Sequence, residues 1–258
     1  MDEKKYATKV NKSGALLHDT KTILSYWDLS KSIKENNEYM INENVLNKLS
    51  RVQIKNISLY FNQRYCNDES VLKSLVYFAQ NGFPSQSLDR LLYFFAMRSD
   101  LFLHDVVIDI IYPYYIDGKY EIYKDDIFNR IQKWVNDGLT TKSWSYSTTK
   151  RVTEGISSTL RDYGILKGKQ KKRIEPTFLP NDAFSFIALY LSNQGLSGKQ
   201  NLNSIEWKLF LMDPFSVERF FMDSQQDNLL HYQAAGDVIR IEFPYQKLEE
   251  YAQYVIEK

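Results

Sequence analysis

Apolar residues recur at helical spacing through most of the chain, after a polar lead-in over 1–13. Over 15–34, Leu16, Leu17, Thr20, Ile23, Leu24 and Trp27 share one face, and Asn36-Asn37 closes the run. With Asn42 or Asn44 as cap, Val45, Leu46, Leu49, Val52, Ile57, Leu59 and Phe61 give a second helix its apolar side. Asp68 caps a third that runs to Phe78 and closes at Asn81-Gly82. Pro84-Ser85 opens a fourth carrying Leu88, Leu91, Leu92, Phe95 and Met97. Asp100 caps a fifth that is apolar on nearly every side, so it reads as a buried central helix, ended by Pro113. Short connections between these amphipathic elements predict a helical bundle over 1–117.

From the Asp117-Gly118 turn the pattern changes. A helix over 123–136 uses Ile127, Phe128, Ile131, Trp134 and Val135 and stops at Asp137-Gly138. Ser147 caps the next, over 148–163, in which Val152, Ile156, Leu160 and Tyr163 fall within about 80° of one another. The opposite face carries Lys150, Arg151, Glu154, Ser157, Ser158 and Arg161. Gly164 ends it, and 165–166 can pair with 174–178 around Gly168-Lys169-Gln170-Lys171-Lys172. Helix, turn and basic-tipped hairpin form the layout of a winged helix-turn-helix, assigned to 118–180.

The remaining segment, 181–258, repeats the order of helices then hairpin. Asn181 caps an apolar helix to Leu191, and 195–203 reads as a polar loop. Asp213-Pro214 starts a helix to about Met222. Then 229–233 and 238–243 flank Ala234-Ala235-Gly236-Asp237, and a helix over 246–256 closes the chain. A second winged-helix-like unit is expected there. The fold class is therefore mainly α, a helical bundle followed by winged-helix-like modules with short β-hairpins.

Charge singles out one of these modules. Between Lys142 and Arg173 nine Lys or Arg stand against two acids, a net +7 in a chain of +1. Such a local excess points to an anionic partner. Duplex DNA needs cations that displace counterions and an element that enters the major groove. The candidate contacts are Lys142, Ser145, Thr149, Lys150, Arg151, Ser157, Ser158 and Arg161 around the helix, and Lys167, Lys169, Lys171, Lys172 and Arg173 on the wing. Replacing Lys169, Lys171 and Lys172 by Glu is expected to abolish binding while leaving stability nearly unchanged. The later hairpin lacks this excess: Asp213, Glu218, Asp223 and Asp227 offset Lys208, Arg219 and Arg240.

Other chemistries find little support. Glu206-Trp207-Lys208 resembles half of a metal-dependent nuclease site, with Asp182 the nearest further carboxylate upstream. Asp105 and Asp109 could pair at i, i+4 for acid–base work. His18, His104 and His231 are isolated, and no HxxxH, CxxC, GxGxxG, GxSxG or Walker-type loop occurs. The single cysteine, Cys66, excludes an internal disulfide. The start of the chain lacks an apolar signal run, and 101–115 is shorter than the ~20 apolar residues a membrane span needs. A soluble, cytoplasmic, non-enzymatic protein without metal, cofactor or membrane contact is expected.

Three stretches, NKSGALLHDTKTILSYWDLSKSIKENN from Asn11, LSRVQIKNISLYFNQRY from Leu49 and STTKRVTEGISSTLRDYGIL from Ser147, together resemble the BrxA family of BREX bacteriophage-defence islands. The resemblance spans most of the chain and includes the helix order, but no catalytic signature. It implies a helical bundle similar to that of the antitermination factor NusB, a cytoplasmic location, and DNA binding alongside other BREX proteins. Two alternatives stay open. The basic segment could dock an acidic protein partner, or the 15% aromatic content could serve RNA by stacking on unpaired bases.

Overall fold

The computed structural model describes residues 6–7 and 14–258. It is mainly helical, with two small antiparallel sheets. Helices α1 (Leu17–Tyr26), α2 (Ile33–Asn42), α3 (Arg51–Tyr65), α4 (Glu69–Gln80) and α5 (Ser85–Ser99) come first. Then α6 (Leu101–Val106) passes through a π-helical turn, Val107–Ile111, into α7 (Tyr112–Ile116). Strand β1 (Glu121–Tyr123) precedes α8 (Lys124–Asn136), α9 (Tyr146–Asp162), β2 (Leu166–Lys167) and β3 (Lys171–Ile174). The chain ends with α10 (Asn181–Asn193), α11 (Gly198–Leu202), a 3-10 turn (Ile205–Phe210), α12 (Pro214–Gln226), β4 (His231–Ala235), β5 (Val238–Glu242) and α13 (Leu248–Glu257).

Strong local signals carry through. Asp68 accepts from the amides of Ser70 and Val71, Asp100 from those of Phe102 and Leu103, and Asp213 from that of Ser216. Each satisfies amides that the first turn of a helix leaves without intrahelical partners. Other expectations are corrected. The run over 15–34 is not one helix: α1 stops at Tyr26, and Ser32 with Glu35 forms a capping box that starts α2. The buried Asn36 amide holds the intervening turn, accepting from Asp28 N at 2.8 Å and donating to Asp28 O at 2.9 Å. The next helix is capped by Ser50, not Asn42 or Asn44, and leaves Leu49, Val52 and Leu59 exposed. The polar stretch 195–203 contains α11, started by the Ser197–Gln200 capping box.

Pro113 does not end its helix. The π turn bonds Tyr112 N to Val107 O and delivers Pro113 to the second position of α7. The proline has no N–H to offer Asp109 O. The Arg130 guanidinium donates to that carbonyl at 3.3 Å instead.

Two compact units emerge. The first comprises the described part of Met1–Ala15 with Asp100–Thr177 and Lys208–Leu211. The second comprises Leu16–Ser99, Phe178–Trp207 and Met212–Lys258. Compactness thus groups α10–α13 with α1–α5, whereas order along the chain separates them. Within the second unit α10 is the core element, buried at every position from Ala183 to Leu191. Phe186 meets Phe78 edge-on at 5.4 Å, Phe184 stacks on Trp207 at 4.5 Å, and Tyr190 meets Phe95 at 5.1 Å. Each large side chain so buried contributes about 1.5–3 kcal/mol. Within the first unit, Tyr6 packs on Phe102 and Trp134, and its hydroxyl donates to Asp105 at 2.7 Å.

Candidate nucleic-acid interface

The basic segment lies in the first unit. Its sheet has the order β1-β3-β2, with β3 antiparallel to both neighbours. Strand β1 was not anticipated: Glu121-Ile122-Tyr123 is only three residues long, although its burial alternates as a half-buried strand should. Register places Ile122 opposite Lys172 and Leu166 opposite Ile174, so these four make the buried face. Glu121 opposite Arg173, Tyr123 opposite Lys171, and Lys167 opposite Arg173 make the outer face.

Helix α9 starts two residues earlier than expected. Ser145, not Ser147, is its cap, accepting from Thr148 N at 3.3 Å. Val152, Thr153, Ile156, Ser157, Thr159 and Leu160 are buried. Ser147, Lys150, Arg151, Glu154 and Arg161 are exposed, with Ser158 half-buried in the same arc. Ser157 and Thr149 were candidate contacts, and both are 0% exposed. Ser157 lies at the margin of the polar arc, where the helix turns into the core. Thr149 donates to Ser145 O at 3.3 Å, which closes the first turn. Neither side chain can reach a ligand from there.

The hairpin also differs from expectation. Lys172 is 2% exposed, and its ammonium donates to Gly168 O at 2.7 Å. Burial, and then the nearby Lys124 and Arg161, push its pKa below the usual lysine value. It braces the turn rather than projecting from it, so the triple Glu replacement expected to spare stability includes a core residue. Gly168 has φ +97°, and a Cβ there would lie 2.7 Å from Lys171 O, so this turn requires glycine.

Several cations of the segment are already paired. Lys171 meets Glu121 at 2.5 Å, and that hydrogen bond holds its ammonium above the usual lysine range. Arg173 lies 3.6 Å from Glu175, and Arg161 3.1 Å from Asp162. Among the described residues, Lys142, Lys150, Arg151, Lys167 and Lys169 make no ion pair. The structure therefore gathers Lys150, Arg151, Ser158 and Arg161 on α9, sets Lys167, Lys171 and Arg173 on the outer sheet face, and leaves Lys169 at the turn. Ser145 and Lys142 are exposed at and before the start of α9.

Beside α9 a cleft of about 250 Å³ opens between α8, α9 and the hairpin turn. Its walls include Phe128 and Tyr146, whose rings meet at 5.1 Å, and Gln170 from the turn. The sequence pattern does not single out Tyr146, which lies before the helix expected over 148–163, or Lys124, which gains a role only where the fold sets α8 beside α9.

The carboxylates of the nuclease reading are engaged elsewhere. Glu206 bonds Arg98 at 2.6 Å, and Asp182 accepts from Ser87 at 2.7 Å. Asp105 is buried and bonded to Tyr6 and His104, while Asp109 is exposed, so the two do not share an open face. Burial pushes the Cys66 thiol up to about 12, far from a reactive thiolate. Among the described residues, no group of three or more His, Cys, Asp or Glu could hold a metal, and no helix is long and apolar enough to cross a membrane.

Fold and charge together define a mainly helical protein with a compact basic module. The chain matches the model of the BrxA family over residues 4–189, about seven tenths of its length. It belongs to the BrxA family, and membership implies a component of a BREX phage-defence system. No curated protein matches it.

Proposed function

We propose that the protein is a non-enzymatic duplex-DNA-binding component of its BREX system, with β1, α8, α9, β2 and β3 acting as a winged helix-turn-helix. The observation that carries this reading is the exposed arc of α9. It presents Lys150 and Arg151 unpaired, next in sequence to a hairpin whose Lys167 and Lys169 are also unpaired. Residues 118–180 carry thirteen Lys or Arg against seven acids, so the excess survives pairing within the module. Exposed ion pairs are worth about 0–1 kcal/mol, so Lys171, Arg173 and Arg161 can exchange their carboxylates for phosphates at small cost. The contact set is then Lys142, Ser145, Lys150, Arg151, Ser158, Arg161, Lys167, Lys169, Lys171 and Arg173. Cations outnumber groups suited to base edges, which favours phosphate clamping over sequence readout.

A second reading, a scaffold that docks other BREX proteins, draws support from Leu49, just before α3, and from Val52 and Leu59 along it, all three exposed. Random duplex at moderate salt separates the two. Saturable binding supports the first reading, and no binding at about 10 µM protein, within the usual range for non-specific association, rejects it. Structured RNA that displaces the duplex completely at equal concentration would move the assignment to RNA.

A further inference from the structure

The cleft beside α9 is equipped for more than phosphate. Phe128 and the 70% exposed Tyr146 supply an aromatic wall. Lys124, Lys150, Glu154 and Gln170 bring hydrogen-bonding ends to the same space. Among the described residues, none of those four ends is taken by an ion pair or a side-chain hydrogen bond. Its volume of about 250 Å³ falls below the ~300–1,000 Å³ of pockets that enclose drug-sized ligands, which suits a single planar ring system.

We propose that this cleft binds an unpaired guanine base, stacked on Tyr146, with its phosphate beside Lys124. A guanine edge offers two adjacent donors and one carbonyl acceptor. The Glu154 carboxylate can accept both donors, while Lys150 or the Gln170 amide can donate to the carbonyl. Thymine lacks the amino group, and adenine lacks the carbonyl. Stacking on an exposed aromatic ring provides the affinity that any base would gain. The proposal rests on the nucleic-acid reading above and deepens it: the module would favour DNA carrying an extrahelical guanine over fully paired duplex. The same base chemistry could arrive in a free nucleotide, so the experiment includes that arm.

Fluorescence anisotropy with a short labelled duplex, fully paired or carrying one extra G or one extra T, tests this in wild type, Tyr146→Ala and Glu154→Gln. The expected result is that the extra G tightens binding about tenfold and the extra T less. Tyr146→Ala should remove the gain for both bulges, and Glu154→Gln the preference for G, with binding to paired duplex retained. Equal affinity for paired and G-bulged duplex, or a gain that survives Tyr146→Ala, overturns the proposal. If no duplex binds at all, the DNA reading fails separately. Titration with guanosine monophosphate then judges the cleft: saturation that Tyr146→Ala abolishes supports it, and no binding overturns it.

Discussion

Among the described residues the molecule carries two hairpins, each following helices, and they are built differently. The β2–β3 hairpin is anchored by a third strand and buries one face, with Lys172 drawn inward to bond Gly168 O. The β4–β5 hairpin has two strands and a largely exposed tip, from Gln233 to Val238. Its cations are matched locally: Lys199 of α11 meets Asp237 at 3.0 Å, and Arg240 meets Glu242 at 2.6 Å. The shared order of helices and hairpin therefore does not define a binding site. What distinguishes the first hairpin is a surplus of unpaired cations beside an amphipathic helix.

Neutralising charge on each hairpin and the helix beside it should break the symmetry most visibly. Lys150→Ala, Arg151→Ala and Lys169→Ala together should weaken duplex binding about a hundredfold, read by anisotropy. Lys199→Ala with Arg240→Ala should change it less than about twofold. If both sets weakened binding alike, the assignment of function to one hairpin would fall.

Backbone constraint separates the hairpins next. Gly198 of α11 would place a Cβ 2.4 Å from Ile239 O of β5, so Gly198→Ala should cost about 1–3 kcal/mol in denaturant unfolding. Gly168→Ala combines a positive φ with a clash against Lys171 O and should cost about the same. Only the second should also weaken DNA binding, because only that turn presents Lys169.

Smaller effects sharpen the picture within the basic module. Lys172→Met should leave duplex affinity within about twofold, since its ammonium faces the turn, whereas Lys169→Met should lower it by about three- to tenfold. Glu121→Gln frees Lys171 from its carboxylate and should raise affinity about two- to threefold at low salt, with the gain fading as salt rises. Asp237→Asn, the matching change on the other hairpin, should do nothing measurable to binding.

Much of this comparison is legible in the sequence because it is local. Asp68, Asp100 and Asp213-Pro214 announce helix starts through side-chain oxygens a few residues from the amides they satisfy. The surplus between Lys142 and Arg173 needs only counting. What escapes is set by distant partners. β1 exists because β3 pairs with it across about fifty residues. Lys172 looks like four neighbouring cations until the strand register turns it inward. Ser157 falls on the polar side of an idealised wheel, yet it sits where packing closes over the helix. The break between α1 and α2 depends on Asn36 reaching back eight residues to Asp28, which no periodicity records.

The most direct test of the account is the salt dependence of duplex affinity in wild type and in the Lys150, Arg151 and Lys169 triple alanine variant. Contacts from Lys142, Lys150, Arg151, Arg161, Lys167, Lys169, Lys171 and Arg173 predict a slope of log K against log salt of about −7, reduced in magnitude by about 3 in the variant. A slope that is the same in both proteins, or a wild-type affinity indifferent to salt, would contradict the claim that this arc and this turn clamp the DNA backbone.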